Sequence, residues 1–437
     1  MEFIFGVLSK INDVLWGDYF AAAIFAACIY LSVKSGFFRI KLTSIFKETF
    51  GKGRKDRFKA ISTALAASMG TGNIIGTAAA LAIGGEGAVL WMIIAAFFGM
   101  AAAYTENYLG ASCISESSGG AMPPMSYIKK LPAGKYLSVI YASVCVGAAF
   151  FMGNMIQGNA ACSSAAQLFS SDIHITSLVT AVLMGAVIAG GAERISAAAE
   201  RLIPIASAAY IIFSLAAIAL NYGEIIPAAE RVIASAFGFR SAAGGAAGAA
   251  VSTAVSTGLR RGIFSNEAGM GSSVLVHSAA GSGEPDKTGK WAACEVFIDT
   301  VICCTLTAFV IMTSGVSCND DMAAARAFSL VFGKAGEIFI YLSIIIFAAA
   351  SMLGWCCYGE IALKSCTKKA VYVKLYRALH VVLLYIGGVS QMKILWQAAD
   401  ICSWFMITIN LSAVIILFSK SIPEERKSIS LCQVSKE

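Results

Sequence analysis

The sequence predicts an all-α polytopic membrane protein with about eleven transmembrane helices. Of its 437 residues, 58% are hydrophobic and 14% are charged, whereas soluble domains contain about 45–50% apolar and about 25% charged residues. The apolar residues form stretches of the length that crosses a bilayer, and the basic residues lie mainly in the connections between these stretches. Composition therefore excludes a disordered chain and a disulfide-stapled secreted module, and it argues against a nucleic-acid-binding protein.

The apolar stretches are expected to be helices, because a backbone in lipid finds no water to bond. In chain order they lie at 15–33, 59–83, 87–112, 136–169, 174–191, 199–221, 247–280, 290–314, 335–363, 374–389 and 394–419. If eleven helices alternate in direction, 25 of the 33 Lys and Arg residues fall in connections on one side and six on the other. Basic connections stay in the cytoplasm. The sequence thus predicts a multi-pass cell-membrane protein with its N-terminus outside and its C-terminus in the cytoplasm.

Two of the stretches contain a polar interruption rich in glycine. The first reads Ser-Met-Gly-Thr-Gly-Asn at 68–73, and the second reads Ser-Asn-Glu-Ala-Gly at 265–269. Paired interruptions in two halves of a membrane chain indicate the binding site of a transporter. Because four spans separate the interrupted ones, each interruption begins a unit of five, and an odd number of spans inserts the two units in opposite orientations.

The expected organisation is a five-plus-five inverted repeat with an extra N-terminal helix. The chain then divides into the extra helix with its basic cytoplasmic loop (1–58), the first repeat (59–222), an outer connecting segment (223–246), the second repeat (247–420) and a cytoplasmic tail (421–437).

The two interruptions supply groups that suit an ion and a small charged solute. A broken helix frees carbonyl oxygens that suit a bare cation and amide groups that suit a carboxylate. The side-chain oxygens at the breaks are neutral, which favours a monovalent ion over a divalent one. We therefore expect a small zwitterion to be carried together with Na⁺ or H⁺. Candidate residues at the breaks are Gly72, Asn73, Ser265, Asn266 and Gly269 for the solute and Gly70 and Thr71 for the ion.

Other polar residues lie inside apolar spans. Gln157 is expected in mid-helix, where it either contacts the solute or bonds to a neighbouring helix. Ser351 and Trp355 are four residues apart and share one helical face. That face suits a hydroxyl for the ion and an aromatic wall for the solute, with ordinary packing as the alternative.

The charged residues near the second interruption have open roles. Glu267 either holds the unwound segment or relays a proton. Arg260 and Arg261 either gate an outer vestibule or neutralise Glu267. Three histidines and 13 cysteines without paired CxxC motifs do not predict a transition-metal site, so Na⁺ is the expected metal ion and no cofactor is expected.

Two further function classes are weaker than a transporter. A channel needs a continuous polar pore, which usually comes from a ring of repeated subunits. An intramembrane enzyme needs a constellation such as HExxH or a glycine-flanked serine with a base, and neither is present in the sequence. The residues by themselves therefore predict a small zwitterion, Na⁺ or H⁺, and the lipid bilayer as partners; the resemblance described next implies a small neutral amino acid and Na⁺.

The chain resembles the alanine or glycine:cation symporter family over nearly its whole length. The motifs that carry the resemblance are SMGTGNIIG (68–76), GGEGAVLWM (84–92), GNMIQGN (153–159), GGAERI (190–195), RRGIFSNEAGMGS (260–272) and LGWCCYGE (353–360). The resemblance implies a LeuT-like fold and import of alanine or glycine with Na⁺ by alternating access; the alternative is a proton-coupled carrier of another small amino acid. It also implies amino-acid contacts from Asn73, Gln157, Ser351 and Trp355, and an ion region around Gly70, Thr71, Ala348 and Ser351.

Several positions depart from the usual pattern of that family. Cys356-Cys357 replace a usual Ser-Tyr pair, Ser351 replaces a threonine, and Ala103 replaces a lysine. Both broken-helix motifs are intact. The departures therefore leave the expectation of transport in place and leave the preferred amino acid open.

Overall fold

The computed structural model describes residues 2–50, 69–114, 123–190, 192–238, 244–277 and 284–421, and these contain helices and turns but no strand. The end of the predicted basic loop, the first ten residues of the predicted span 59–83, and the tail from 422 onward lie outside the described residues. The remaining predicted spans each coincide with helical structure.

Residues 2–50 form three α-helices: α1 (Glu2–Leu15), α2 (Asp18–Ser35) and α3 (Leu42–Phe50). Helix α2 is the predicted extra span, and it ends at Gly36, whose φ of 66° gives the left-handed C-cap that glycine adopts without strain. Helix α1 was not predicted as an element. It packs against the last helix of the chain, where Asn12 Nδ2 donates to Gln397 O at 2.9 Å.

The first half of the chain continues through a 3₁₀ turn (Thr71–Asn73) and seven helices. These are α4 (Ile75–Gly84), α5 (Gly87–Ile114), α6 (Pro124–Ile128), α7 (Gly134–Phe150), α8 (Ile156–Phe169), α9 (Ile173–Ala189) and α10 (Ala192–Leu220). A π-helical turn (Phe151–Met155) joins α7 to α8 into one long span. Helix α9 begins where the Asp172 side chain accepts from the amides of His174 and Ile175.

The second half follows a connecting helix, α11 (Ile225–Ala236). Its helices are α12 (Gly244–Asn266), α13 (Ser272–His277), α14 (Pro285–Val296), α15 (Thr305–Thr313), α16 (Ala323–Cys366), α17 (Ala370–Val389) and α18 (Met392–Ser421). A π-helical stretch (Phe297–Cys304) joins α14 to α15. Helix α16 is kinked at Gly333, close to the predicted start of its span.

Among the described residues, eight helices are long and apolar enough to cross a membrane. They are Asp18–Ser35, Gly87–Ser112, Gly134–Phe169, Ile203–Leu220, Pro285–Thr313, Ala323–Cys366, Ala370–Val389 and Met392–Ser419. The three other predicted spans correspond to two shorter apolar helices, Thr71–Gly84 and Ile173–Ala189, and to α12 with α13. The multi-pass architecture is thus present, and the count of eleven stays a prediction.

The helices of the two halves pack against each other in matching order. Helix α4 packs against α12, α5 against α14, α8 against α16, and α9 against α17. Glycines allow this close approach: a Cβ on Gly258 of α12 would lie 2.6 Å from the Ala88 carbonyl oxygen of α5. A Cβ on Gly153 would lie 2.1 Å from Cβ of Trp355 in α16. The contact between the two halves therefore depends on small residues at fixed positions.

We predict that Gly153→Ala destabilises the protein, because the new methyl group would overlap the first side-chain atom of Trp355, which no rotamer can move. Overpacking of this kind costs about 1–3 kcal/mol. The thermal unfolding midpoint in detergent measures it. Gly147→Ala is the matched control on the preceding turns, since its Cβ would meet Cys402 Sγ at an ordinary 3.5 Å. Equal midpoints for the two variants would contradict the close packing at Gly153.

Candidate functional site

The first break is a short, fully buried segment between two groups of side chains. Gly70 is extended, Thr71–Asn73 form the 3₁₀ turn, and α4 begins without a side-chain cap on its first amides. A Cβ on Gly70 would lie 3.0 Å from Ser351 Oγ and 3.1 Å from Gln157 Oε1. A Cβ on Gly72 would lie 2.9 Å from the Ser265 Cα. Glycine at both positions lets the backbone approach its neighbours on either side.

One of these groups lies on the facing surfaces of α8 and α16. Gln157 Oε1 accepts a hydrogen bond from the Thr71 amide at 3.0 Å, and Ser351 lies beside the same segment. Trp355 lies one turn after Ser351, and its side chain packs on Gly153, which lies one turn before Gln157. The structure thus brings Gly70, Thr71, Gln157, Ser351 and Trp355 into one neighbourhood.

Only one of the polar groups of Thr71 has a hydrogen bond to this group of side chains, namely its amide. Its hydroxyl oxygen is buried and has no hydrogen-bond partner among the described residues. Ala348, which the resemblance assigns to the ion region, is fully buried three residues before Ser351 and packs in the hydrophobic cluster that contains Ala161 and Cys162. A free hydroxyl beside an unwound backbone is a feature that fits an ion ligand.

The other group is centred on Asp299, which lies in the π-helical stretch and is fully buried. Asn73 Nδ2 donates to both the carbonyl oxygen and Oδ1 of Asp299 at 2.8 Å. Ser265 Oγ donates to Oδ2 at 2.7 Å, and Thr300 Oγ1 donates to the same oxygen at 2.9 Å. Asn73 and Ser265 are therefore bound to a carboxylate, which the sequence analysis does not single out. The available signal is an acidic residue inside the apolar span 290–314.

The second break begins where α12 ends. Asn266 forms a local turn there, because its Oδ1 accepts from the Ala268 amide at 3.0 Å while its Nδ2 donates to Thr300. Glu267 adopts a left-handed φ of 57°, which is unfavourable for a residue with a side chain. Trp355 Nε1 donates to Glu267 Oε1 at 2.8 Å. Of the two roles open for Glu267, this contact fits the one of holding the unwound segment.

The far end of the second break is held by α5, α7 and α18. Gly269 and Gly271 both have a φ of 81°, which only glycine adopts readily. The Gly269 carbonyl accepts from Asn410 at 2.9 Å, and the Gly271 amide donates to Glu106 at 3.1 Å. Tyr141 donates to the Met270 carbonyl at 2.6 Å. Gly269 lies against Ala102 and Leu411. It therefore belongs to the contacts that hold the second break, and it does not lie in the group of side chains around Gln157.

Arg261 is paired with Asp400 and not with Glu267. Arg261 Nη2 lies 2.6 Å from Asp400 Oδ2, both side chains are about 95% buried, and the guanidinium carbon lies 4.0 Å from the Trp396 ring centroid. Arg260 lies over Trp16 at 5.7 Å. The two arginines therefore do not neutralise Glu267. Sequence analysis misses Asp400 because this partner lies 139 residues away in the chain.

Arg261 and Asp400 are among the residues that line a cavity of about 510 Å³. Its lining is mostly charged or polar, and the residues are Phe5, Asp13, Ala82, Ile83, Thr257, Arg260, Arg261, Asn319, Asp320, Asp321, Lys393, Trp396, Gln397 and Asp400. Trp396 packs edge-on against Phe264, with ring centroids 4.4 Å apart, and both rings adjoin Gly76 of α4. This pair of aromatic side chains thus lies between the cavity and the two broken helices.

Comparison with known proteins separates the remaining function classes. Residues 1–428 match the model of the sodium:alanine symporter family. The chain belongs to this family. The sodium/alanine symporter AgcS of Methanococcus maripaludis is 33% identical to this symporter over 98% of this chain and 99% of its own. An uncharacterized transporter of Haemophilus influenzae is 35% identical over 96% and 95% of the two chains.

A solved structure supports the fold of the symporter. A variant of an Eremococcus coleocola manganese transporter superposes with a TM-score of 0.57, at 14% identity, over 88% of this chain and 92% of its own. The symporter is therefore a multi-pass membrane protein with a transporter fold. It is a secondary amino-acid:cation symporter and not an enzyme, and its family associates transport with Na⁺.

We predict that Arg261→Gln strongly destabilises the symporter, because it leaves the Asp400 carboxylate buried without a cation. Breaking a buried ion pair costs about 3–5 kcal/mol, whereas replacing both partners with apolar residues is often neutral. The double variant Arg261→Met, Asp400→Leu should therefore recover most of the thermal stability. Lys334→Gln, which breaks an exposed pair with Glu337, is the control and should change little. A double variant as unstable as the single one would contradict the pairing.

Proposed function

We propose that the symporter imports alanine or glycine together with Na⁺ by alternating access. The observation that carries the proposal is the buried break at Gly70–Asn73, where Gln157 and Ser351 flank an unwound backbone that retains an unpaired hydroxyl on Thr71. An unwound, partly satisfied segment surrounded by neutral oxygens suits a monovalent cation. The uncapped first turn of α4 suits a carboxylate, because its amides carry the positive end of the helix dipole.

We place this site in a five-plus-five inverted repeat of residues 59–222 and 247–420. The matched packing of α4, α5, α8 and α9 on α12, α14, α16 and α17 supports this organisation. So does the position of each break at the start of its half. Helix α2 is then the extra N-terminal span, and the predicted topology places the N-terminus outside.

The neighbourhood of Trp355 supports a small solute. The indole packs on Gly153, and its N–H is bound to Glu267, so it has little freedom to move aside. Ser351 lies one turn before it, beside the break. An amino acid bound at the break would meet a rigid aromatic wall beyond its α-carbon. Glycine and alanine fit such a limit, and larger side chains clash with it.

The cavity and the anchoring of the second break suggest how access alternates. The cavity lies beside Phe5 and Asp13 of α1, which the predicted topology places outside. On the opposite side, Glu106 and Asn410 bind the backbone at Gly269 and Gly271. Opening to the cytoplasm would require these hydrogen bonds to separate as the two halves move.

We predict concentrative uptake of labelled alanine and glycine into proteoliposomes that carry an inward Na⁺ gradient. Uptake should collapse when choline replaces Na⁺, because the ion gradient supplies the driving force. A pH gradient without Na⁺ tests the proton-coupled alternative, and equilibration without accumulation would indicate a channel. Uptake that is indifferent to Na⁺ would contradict the proposed coupling.

We predict that Trp355→Ala raises the ability of leucine to compete with labelled alanine. The substitution opens space of about the size that leucine needs, at a folding cost of about 3–5 kcal/mol, so folded protein must be confirmed first. The wild type should accept glycine and alanine, serine weakly and leucine hardly at all.

Two variants separate size from other effects of this substitution. Trp355→Phe loses the hydrogen bond to Glu267 but keeps an aromatic wall, so leucine should stay excluded. Ser351→Ala should weaken uptake or its Na⁺ dependence without admitting leucine. A folded, active Trp355→Ala with an unchanged leucine ratio would remove Trp355 from the site.

A further inference from the structure

We infer that helix α1 (Glu2–Leu15) lies in the membrane surface, where one of its faces contacts lipid and the other holds α18 beside the cavity. The helix thus acts as a strap between the bilayer and the segment of α18 that borders the path to the breaks. The inference goes beyond the proposed function, and it uses the predicted topology only to place this strap on the outer side.

The first observation is that α1 turns its apolar face away from the protein. Val7, Ile11 and Val14 recur at helical spacing on one face, and they are 43%, 42% and 66% exposed. The opposite face carries Asn12, which is fully buried against α18. A surface helix in water buries its apolar stripe and exposes its polar face. The reversed arrangement fits a helix whose outer face meets lipid.

The second observation is the short junction between α1 and a span. Only Trp16 and Gly17 separate α1 from α2, so α1 ends at the membrane surface where α2 begins. With 14 residues, α1 is about 21 Å long and too short to cross a hydrocarbon core of about 30 Å. It also carries Glu2, Lys10 and Asp13. A short amphipathic helix of this kind lies in the interface with its apolar face about 5–10 Å deep.

The exposed face of α1 is continuous with the exposed apolar surface of α2. Tyr19, Ile29 and Val33 of that span are exposed, and the Tyr19 hydroxyl donates to the Val14 carbonyl. Tyrosine is enriched at the level of the lipid headgroups. Lys10 is exposed beside the apolar stripe, where its long side chain reaches a lipid phosphate. These features favour lipid over a second copy of the chain as the occupant of this face.

The inner face of α1 holds the part of α18 that lines the cavity. Asn12 Nδ2 donates to the Gln397 carbonyl at 2.9 Å, and Trp16 Nε1 donates to the Asp400 carbonyl at 3.0 Å. Gln397 and the Asp400 side chain both border the cavity. The Trp16 carbonyl in turn accepts from Ser256 of α12 at 3.2 Å. The strap therefore ties α18 to α12, and a solute that passes from the cavity to the breaks must move between these two helices.

The first measurement identifies what the exposed face of α1 contacts. Val14→Cys is labelled with bimane in a variant without the native cysteines and is placed in phosphatidylcholine nanodiscs. We expect a lipid that carries a nitroxide near its headgroup to quench the label several-fold more than aqueous iodide does. Asn319→Cys is the control, because Asn319 is exposed at the cavity and should be quenched by iodide only.

Two results of this measurement overturn the inference. Quenching of the Val14 label by iodide alone places the face in water, and quenching by neither reagent places a second copy or another protein segment on it. If the cysteine-free variant does not fold, Val14→Asp and Val14→Leu in the wild-type background decide. Val14→Asp should lower the thermal midpoint in nanodiscs, because it puts a carboxylate into lipid, whereas Val14→Leu should not. Equal midpoints overturn the inference.

The second measurement tests the strap through Asn12→Ala, which removes the bonds to Gln397 and keeps the apolar face. We expect bound labelled alanine to leave about two- to tenfold faster, as loss of one hydrogen bond implies. Amide hydrogen exchange at residues 392–400 should accelerate as well. Asn221→Ala is the matched control, because its amide bonds within its own helix, to the Ala217 carbonyl, and both rates should stay at the wild-type value.

Wild-type alanine release and wild-type exchange in a folded Asn12→Ala overturn the inference, while the proposed function stands. If Asn12→Ala does not fold, Trp16→Phe replaces it, since that variant loses only the donor to the Asp400 carbonyl. A wild type that binds no alanine contradicts the proposed function, and the lipid contact and the hydrogen exchange of α18 then decide the inference by themselves.

Discussion

The structure depends on one constraint: a helix that breaks inside a membrane must have its freed backbone groups bound by the protein. At both breaks, side chains from distant helices bind part of these groups, and the first turn of α4 is left without a side-chain cap. Gln157 accepts from the Thr71 amide, and Glu106 accepts from the Gly271 amide. The Met270 carbonyl is bound by Tyr141. Gln157, Glu106 and Tyr141 each bind a backbone group that an unbroken helix would not leave free. The breaks therefore require these side chains at these positions.

The buried charged side chains around the breaks have two kinds of partner. Arg261 and Asp400 neutralise each other, and Glu295 is paired with His277. Glu106 and Glu267 instead meet neutral donors, since Glu106 binds Ser273, Asn410 and a backbone amide, and Glu267 binds the Trp355 indole. Each of these contacts joins elements that are separate in the chain. Buried charged side chains and contacts between distant elements therefore occur together near the breaks.

Much of the fold could be predicted from the sequence, because the length of each apolar stretch and the basic residues beside it are visible without knowledge of distant contacts. The spans at α2, α5 and α18 lie within a few residues of their predicted bounds, and so do both interruptions, whereas α16 begins at Ala323, well before its predicted start at 335. The family resemblance singles out Gln157, Ser351 and Trp355, and in the structure Gln157 and Ser351 lie beside Gly70 while Trp355 lies on Gly153.

Contacts between distant parts of the chain could not be predicted in this way. Asp299 is 226 residues from Asn73, and it lies in a π-helical stretch that leaves no periodic signal. The pairing of Arg261 with Asp400 is equally remote. Helix α1 carries charges that an apolar-span criterion rejects, and it is stabilised by packing on α18. Predicting such features requires the arrangement of the halves, which only the folded chain provides.

Trp355 shows how these contacts connect solute size to motion in the proposed cycle. Its ring lies on Gly153 of the first half, and its N–H holds Glu267 at the second break. Glu267 sits at a strained backbone angle, so the hydrogen bond helps to fix a conformation that the residue would otherwise leave. A solute that pushes the indole aside would therefore also disturb the second break. In the proposed cycle, the side chain that would limit the size of the solute thus contacts the segment that would move, so exclusion of large amino acids would be part of the transport step rather than a separate filter.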